Sequence, residues 1–231
     1  MVKDYSSFDH WALTYDDDMR KANDSDDWMF RGYYSILDRI VEYCELDNYE
    51  NPLVLDIGAG TGNLSEKFLD KKLMVTAIDP SVKMREMCKE KYPDLEILSG
   101  DFLDIPLPPE SIDIIVSSYA FHHLTDEEKA VSVSLMRDIL QPGGRIIIAD
   151  LMFEDREEKK RIRQFLLESG QSEIVEDIDD EFPGYFNELQ GVFTQAGFDV
   201  RGEQLTASVW IICAILQSLQ SGDNCQTGGQ K

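Results

Sequence analysis

The chain is short of the residues that staple or ligate. Its four cysteines, Cys44, Cys88, Cys213 and Cys225, lie far apart with no CxxC pair, and it has only three histidines. A chain of 231 residues is long enough to bury a core without staples, which excludes a disulfide scaffold and predicts a reduced, intracellular protein. Positive charge is scarce too: 22 Lys plus Arg stand against 45 Asp plus Glu, for a net charge of −23 and a pI near 4.3. Such an acid excess repels phosphate backbones and anionic headgroups, and salt weakens that repulsion without reversing its sign. Nucleic acid and membrane surfaces are therefore poor partners. Long apolar runs are missing: the strongest, VWIICAIL at Val209–Leu216, falls far short of the ~20 residues of a spanning helix. The opening MVKDYSSFDHW has no apolar core of signal-peptide type, so the expected location is cytoplasmic.

What is present is an ordinary globular mixture, 42% hydrophobic and 10% aromatic, too apolar for a disordered acidic chain. The densest acids, Asp16 to Asp18 and Asp24 to Asp27, read as a solvated helix face or loop. They lack the glycine and closing Glu of a calcium loop. The segment SGDNCQTGGQK at the end reads as a frayed tail.

Between the ends, apolar runs rich in β-branched residues alternate with amphipathic segments. LVLDI (53–57), MVTAID (74–79), LEILS (95–99), IDIIVS (112–117) and RIIIAD (145–150) read as strands buried on both faces. Ser81 opens a helix running to about Lys91, and Thr125 with Glu128 forms a capping box for one ending near Leu140. Pro142, Gly143 and Gly144 break the chain before the next strand. A helical segment over 157–170, an acidic loop over 176–181 and a helix over about 185–196 follow. Segments 198–205 and 208–216, joined by a turn at Thr206 and Ala207, read as an antiparallel pair closing the sheet. The alternation predicts an α/β fold with a mostly parallel, doubly wound sheet whose ligands sit beyond the carboxyl ends of the strands.

The strongest motif is Asp56-Ile57-Gly58-Ala59-Gly60-Thr61-Gly62-Asn63-Leu64, set between a strand and a helix. Glycines let backbone approach a ligand, and the helix start adds free N–H donors. A dinucleotide fingerprint needs its third glycine at position 63, but Asn63 stands there, so the spacing argues against a nicotinamide enzyme. Asp79 ends the second strand, where an acid accepts from both ribose hydroxyls; the alternative is a helix-start residue before Pro80 and Ser81. Gly100, Asp101 and Phe102 follow the third strand and offer an acceptor for an exocyclic amine beside an apolar face, or else an exposed turn. Together the three strand ends describe an adenosine site. Its tail reaches the glycine loop, where Asp56 meets an ammonium group.

These blocks, LDIGAGTGNL, AIDPS, GDF and SSYAFHHLTDEEK, resemble a class I S-adenosylmethionine-dependent methyltransferase, most closely the YrrT-type family of Gram-positive bacteria. The similarity extends through FDHWALTYD, RGYYSILD, GYFNELQGVFTQAGFDV and SVWI, nearly the whole chain. The resemblance implies a Rossmann-like, seven-stranded sheet with an antiparallel last strand and helices on both faces. By position it makes Gly58, Asp79 and Asp101 binding residues for S-adenosyl-L-methionine, with Gly60 and Phe102 lining the same site. Asp79 departs from the family's Glu and Ala59 from its usual proline, without loss of the required chemistry. The implied division is an N-terminal helical lid over 1–50, a catalytic domain over 51–217 with a lid insertion around 153–185, and a disordered tail over 218–231.

At the methyl end the candidates are His122 and His123, as a base or as orienting groups, or packed under the sheet; as neighbours they should point different ways. Trp11 and Tyr15, four apart on one short helical stretch, suit a lid or core packing, and Tyr15 is a third catalytic candidate. Tyr119, Phe153, Phe182 and Tyr185 suit an acceptor wall or core. No His/Cys cluster has metal-ligand spacing, so a metal-independent reaction is expected. The expected partner is a small neutral or cationic methyl acceptor, met by a monomer or homodimer. A non-catalytic module binding the cofactor or its demethylated product, and a methyltransferase acting on tRNA through the run at Lys159 to Arg163, are the competing readings. Flanking glutamates make an exposed helix of ion pairs the preferred account of that run.

Overall fold

The structure is a computed structural model that describes residues 6–217. Three helices come first: α1 (Ser6–Trp11), α2 (Tyr15–Asn23) and α3 (Tyr33–Tyr43). Strands and helices then alternate: β1 (Leu53–Ile57), α4 (Asn63–Leu69), β2 (Met74–Asp79), α5 (Val82–Lys91), β3 (Glu96–Ser99), β4 (Ile112–Ser118), α6 (Asp126–Ile139) and β5 (Leu140–Phe153). The rest is α7 (Arg156–Glu168), α8 (Ser172–Asp180), β6 (Gly184–Tyr185), α9 (Phe186–Gln195), β7 (Phe198–Gln204) and β8 (Val209–Leu216). The sheet runs β3-β2-β1-β4-β5-β8-β7, seven strands as expected, with the two-residue β6 paired beside β5 as an eighth. Only β8 is antiparallel to its neighbours. Strand order reverses between β1 and β4, which opens the ligand crevice beyond their carboxyl ends.

Period-two alternation sorts the strand residues onto two cores. Val54, Val116 and Ile147 pack with Leu37 and Ile40 of α3, while Leu55, Ile57, Ile115 and Ile148 pack with Val133 and Met136 of α6 and Phe193 of α9. Both faces of the central strands are covered, which is why they read as continuous apolar runs. The predicted caps are present. Ser81 Oγ accepts from Met84 N at 3.1 Å. Thr125 Oγ1 accepts from Glu128 N while Glu128 Oε2 accepts from Thr125 N.

Four local expectations are corrected. The acidic loop over 176–181 is mostly α8, because Val175 and Ile178 bury one face of a helix whose acids remain exposed. Trp11 and Tyr15 sit on two helices separated by a turn at residues 12–14, not on one stretch. Pro142 to Gly144 fall within β5, because Leu140 already pairs with Ile112; the register shifts there and resumes at Arg145 opposite Ile114. That strand also runs past Asp150, held by β8 and β6. The basic run lies on α7, the helix preferred for it, with Lys160 paired to Glu157 and Lys159 and Arg163 to Asp179. The tail over 218–231 lies outside the described residues, and within them no helix is long and apolar enough to cross a membrane.

Candidate active site

The β1–α4 loop turns because its glycines adopt left-handed backbone, φ 71° at Gly58 and 56° at Gly60. A side chain at Gly58 would strike Ala120 Cβ at 2.5 Å, so the loop packs directly on the segment after β4. Gly60 faces a cavity of about 750 Å³, and its N–H donates to Asp79 Oδ2 at 2.8 Å. Asp79 Oδ1 accepts from Ser81 N at 2.8 Å, so two backbone donors fix a carboxyl that is only 6% exposed. Burial pushes its pKa up to about 6 despite those bonds. Asp101 Oδ1 caps its own turn through the N–H groups of Leu103 and Asp104, and Phe102 packs edge-on against Phe121. Gly58, Gly60, Asp79, Asp101 and Phe102 all line this one cavity.

Asp56 does not. Alternation puts it on the Val54 face of β1, beneath α4, where Oδ2 accepts from Ser65 Oγ at 2.6 Å and Oδ1 is buried with no hydrogen-bond partner. Burial raises its pKa to about 7. The expected contact with a ligand ammonium gives way to support of the loop from below.

The N-terminal helices border the cavity, which Phe8, Trp11 and Tyr15 line. Two aspartates dock them. Asp9 Oδ1 accepts from Ser81 Oγ at 2.6 Å and from Lys83 N at 3.1 Å. Asp16 accepts from Thr61 Oγ1 at 2.6 Å and Asn63 Nδ2 at 3.1 Å, and pairs with Lys91 Nζ at 2.7 Å. One acid of the supposedly solvated cluster thus clamps the glycine loop. Hydrogen bonds to a charged group contribute about 1.5–3 kcal/mol each, so Asp16→Ala is expected to weaken ligand binding at the loop about tenfold in a calorimetric titration. Tyr15 packs at 4.8 Å from Trp11, with its hydroxyl 3.4 Å from that of Tyr33; burial raises its phenol pKa well above the usual value, so it can donate a hydrogen bond but not act as a base.

At the opposite end His122 and His123 occupy a 3₁₀ turn, Phe121–His123. Their side chains do not diverge: the ring centroids lie 4.0 Å apart. His122, 4% exposed, holds Asp150 Oδ1 at 2.5 Å through Nδ1. Asp150 Oδ2 accepts from the N–H groups of Ala120, Phe121 and His122, so one carboxylate organises the whole turn. Burial opposes the charge on both groups. Their mutual attraction prevails, raising the His122 pKa and lowering that of Asp150. His123 Nδ1 lies 3.0 Å from Glu181 Oε2. Just before the turn, Tyr119 adopts φ 51°, a strained backbone for a tyrosine, held by its N–H on Ala149 O.

Of the four aromatics expected as an acceptor wall, Tyr119 alone lines the cavity, joined there by Trp28 and Phe30. Phe153 and Tyr185 fill a small third core, and Phe182 is 50% exposed. Sequence reasoning missed Asp16, Asp150 and Glu181. Asp150 lies near the carboxyl end of a strand, the rule that found Asp79 and Asp101, and was findable. Asp16 carried no mark among its acidic neighbours, and Glu181 arrives from a separate segment. Among the described residues lining the cavity are Asp27, Asp79, Asp101, Asp177, Asp180 and Glu181 but no lysine or arginine.

Comparison with known proteins meets this geometry. A family model described as a methyltransferase domain matches residues 55–148, the stretch from within β1 into β5. The chain is 37% identical over 207 residues to an uncharacterized methyltransferase of Oceanobacillus iheyensis, covering 90% of this chain and 94% of that protein. It is 38% identical over 209 residues to one of Bacillus velezensis, covering 90% and 95%. Among solved structures, a chain from a complex of the Haloferax volcanii Trm112 methyltransferase activator with a methyltransferase superposes at TM-score 0.67, with 19% identity over 94% of this chain and all of that one. A SAM dependent methyltransferase from Archaeoglobus fulgidus superposes at 0.61, with 17% identity over 79% and 92%. The fold is that of the class I methyltransferases, and the chain belongs to the methyltransferase family represented by the Oceanobacillus and Bacillus proteins.

Proposed function

We propose that this methyltransferase is of the YrrT type, uses S-adenosyl-L-methionine as methyl donor and acts in the cytoplasm on a small neutral or cationic acceptor. The observation that carries the reading is the convergence of Gly60, Asp79, Asp101 and Phe102, from three successive strand ends, on one cavity that continues to His122. The residues fit the cofactor. Asp79 offers a preorganised carboxylate to two ribose hydroxyls, Asp101 an acceptor to the adenine amine, Phe102 an apolar face to the ring, and the glycine loop a backbone cradle to the amino-acid tail. Once bound, S-adenosylmethionine supplies an already activated methyl group for in-line displacement. The chain's own tasks are to align the acceptor and exclude water. Phe8, Trp11 and Tyr15 cover the cavity as a lid, Tyr15 donates a hydrogen bond, and His122 and His123 hold the acceptor's polar group. The absence of Lys and Arg from the lining supports a neutral or cationic acceptor, and the ion-paired α7 leaves little basic surface for RNA.

Hydroxyl donors need the ionised form of Asp79, whose pKa is raised to about 6. Cofactor affinity is therefore expected to climb as pH rises through about 6 and to level off above it, which titrations across that range will read. To test the function itself, protein and methyl-labelled S-adenosylmethionine are incubated with fractionated cell extract. Label entering low-mass compounds is the expected result. Label in RNA or protein would replace the proposed acceptor class, and cofactor binding without transfer to any fraction would favour a non-catalytic module.

A further inference from the structure

We propose that His122, His123 and Glu181 form a binding site for a divalent transition-metal ion of the zinc class in the acceptor half of the cavity. One potential ligand atom from each lies within 4.8 Å of the other two, the one such group of three among the described residues. All three residues line the cavity.

Consecutive residues usually send their side chains apart. Here the 3₁₀ turn brings two imidazoles together, tilted at 55° with centroids 4.0 Å apart, and a carboxylate lies 3.0 Å from the second. The His122 Nδ1 is committed to Asp150, which leaves Nε2 as its ligating atom. A carboxylate on the far nitrogen is the usual device that fixes the tautomer and orientation of a metal-binding histidine. Asp150 is itself immobilised by backbone donors from the same turn. The segment carrying Glu181 is stitched to that turn as well: Phe182 N donates to His122 O at 3.1 Å, and Lys129 Nζ bridges the carbonyls of Leu124 and Phe182. The three ligands are thus held together by backbone from two distant parts of the chain.

Two imidazoles and one carboxylate suit a borderline ion such as zinc better than magnesium or calcium, and three protein ligands leave a position open. Zinc bonds of about 2.0–2.1 Å in tetrahedral geometry put ligand atoms roughly 3.3 Å apart. Closing the 4.8 Å spread requires His123 and Glu181, whose side chains are 31% and 30% exposed, to rotate and exchange their mutual 3.0 Å contact for bonds to the ion. Asp177 and Asp180 in the cavity lining, which contains no Lys or Arg, add attraction for a cation, opposed by the buried Lys129 behind the turn. The open position would take the acceptor's heteroatom, so that with the ion bound the two histidines hold the acceptor through it and not directly, a role that rests on the methyltransferase reading. Metal binding itself does not rest on it.

The test uses the metal-stripped full chain without S-adenosylmethionine, so its outcome is independent of cofactor binding. Cobalt(II) absorption and calorimetry with zinc are read for wild type, His123→Ala, Glu181→Gln and the double variant, with circular dichroism to verify folding. A remote acid variant, Glu110→Gln, controls for the acidic surface. The proposal predicts one ion per chain, intense visible bands of a four- or five-coordinate cobalt centre, a loss of about tenfold or more in each single variant, and no band in the double variant. It is overturned if neither ion binds, if binding survives in the double variant, or if calcium displaces the ion as readily as zinc.

Discussion

Asp79→Ala is expected to weaken S-adenosylmethionine binding at least about a hundredfold while leaving the fold intact. Two ribose hydroxyls lose a charged acceptor, at about 1.5–3 kcal/mol each, and about 1.4 kcal/mol is a factor of ten in affinity. Stability should change little, because two effects oppose. The substitution leaves the N–H groups of Gly60 and Ser81 without their acceptor. It also removes a buried carboxyl whose ionisation the fold resists, as its raised pKa records. Equilibrium dialysis with labelled cofactor reads the affinity and a thermal melt the fold. An affinity within threefold of wild type, in folded protein, would remove Asp79 from the cofactor site.

Asp150→Ala should produce the largest loss of stability, about 3–5 kcal/mol, the range for breaking a buried ion pair by deleting one partner. The variant strands His122 Nδ1 and the backbone donors of Ala120, Phe121, His122 and Leu151 together. For a chain of this size the melting temperature should fall by on the order of 10 °C. The effect depends on pH in a defined way. Asp150 has a lowered pKa, so its share is present above the ordinary value of 3.8 and lost as pH falls through the lowered one. His122 has a raised pKa, so its share is complete below the ordinary value of 6.5 and lost as pH rises through the raised one. The gap between wild type and variant should therefore be widest between about pH 3.8 and 6.5. A gap that is flat with pH, or below about 1 kcal/mol, would contradict the assigned pair.

The fold was largely legible because its signals are local. Five β-rich runs, the Thr125 capping box and the glycine loop each state their structure within a few residues, and the parallel topology follows from their alternation. Position rules at strand ends likewise pointed to Asp79, Asp101 and Phe102, which line one cavity. The reading failed where an outcome depends on distant packing. The chemistry of Asp56 matched a ligand contact, but strand alternation turns it toward α4 and Ser65. The acids of α8 hid a helix because only Val175 and Ile178 mark its buried face. Neighbouring histidines were expected to diverge, and it takes Asp150 and Glu181, 28 and 58 residues away in their hydrogen bonds, to make them converge. The net charge of −23 carries a similar lesson, since acids such as Asp9, Asp16 and Asp150 are structural clamps as well as charge.

Calorimetric titration of the intact chain with S-adenosylmethionine, and separately with its demethylated product, tests the central claim most directly. The account predicts a single site per chain for each ligand, with the product competing for the cofactor's site and affinity for both falling in Asp79→Ala. Folded protein that gives no heat with either ligand would contradict it.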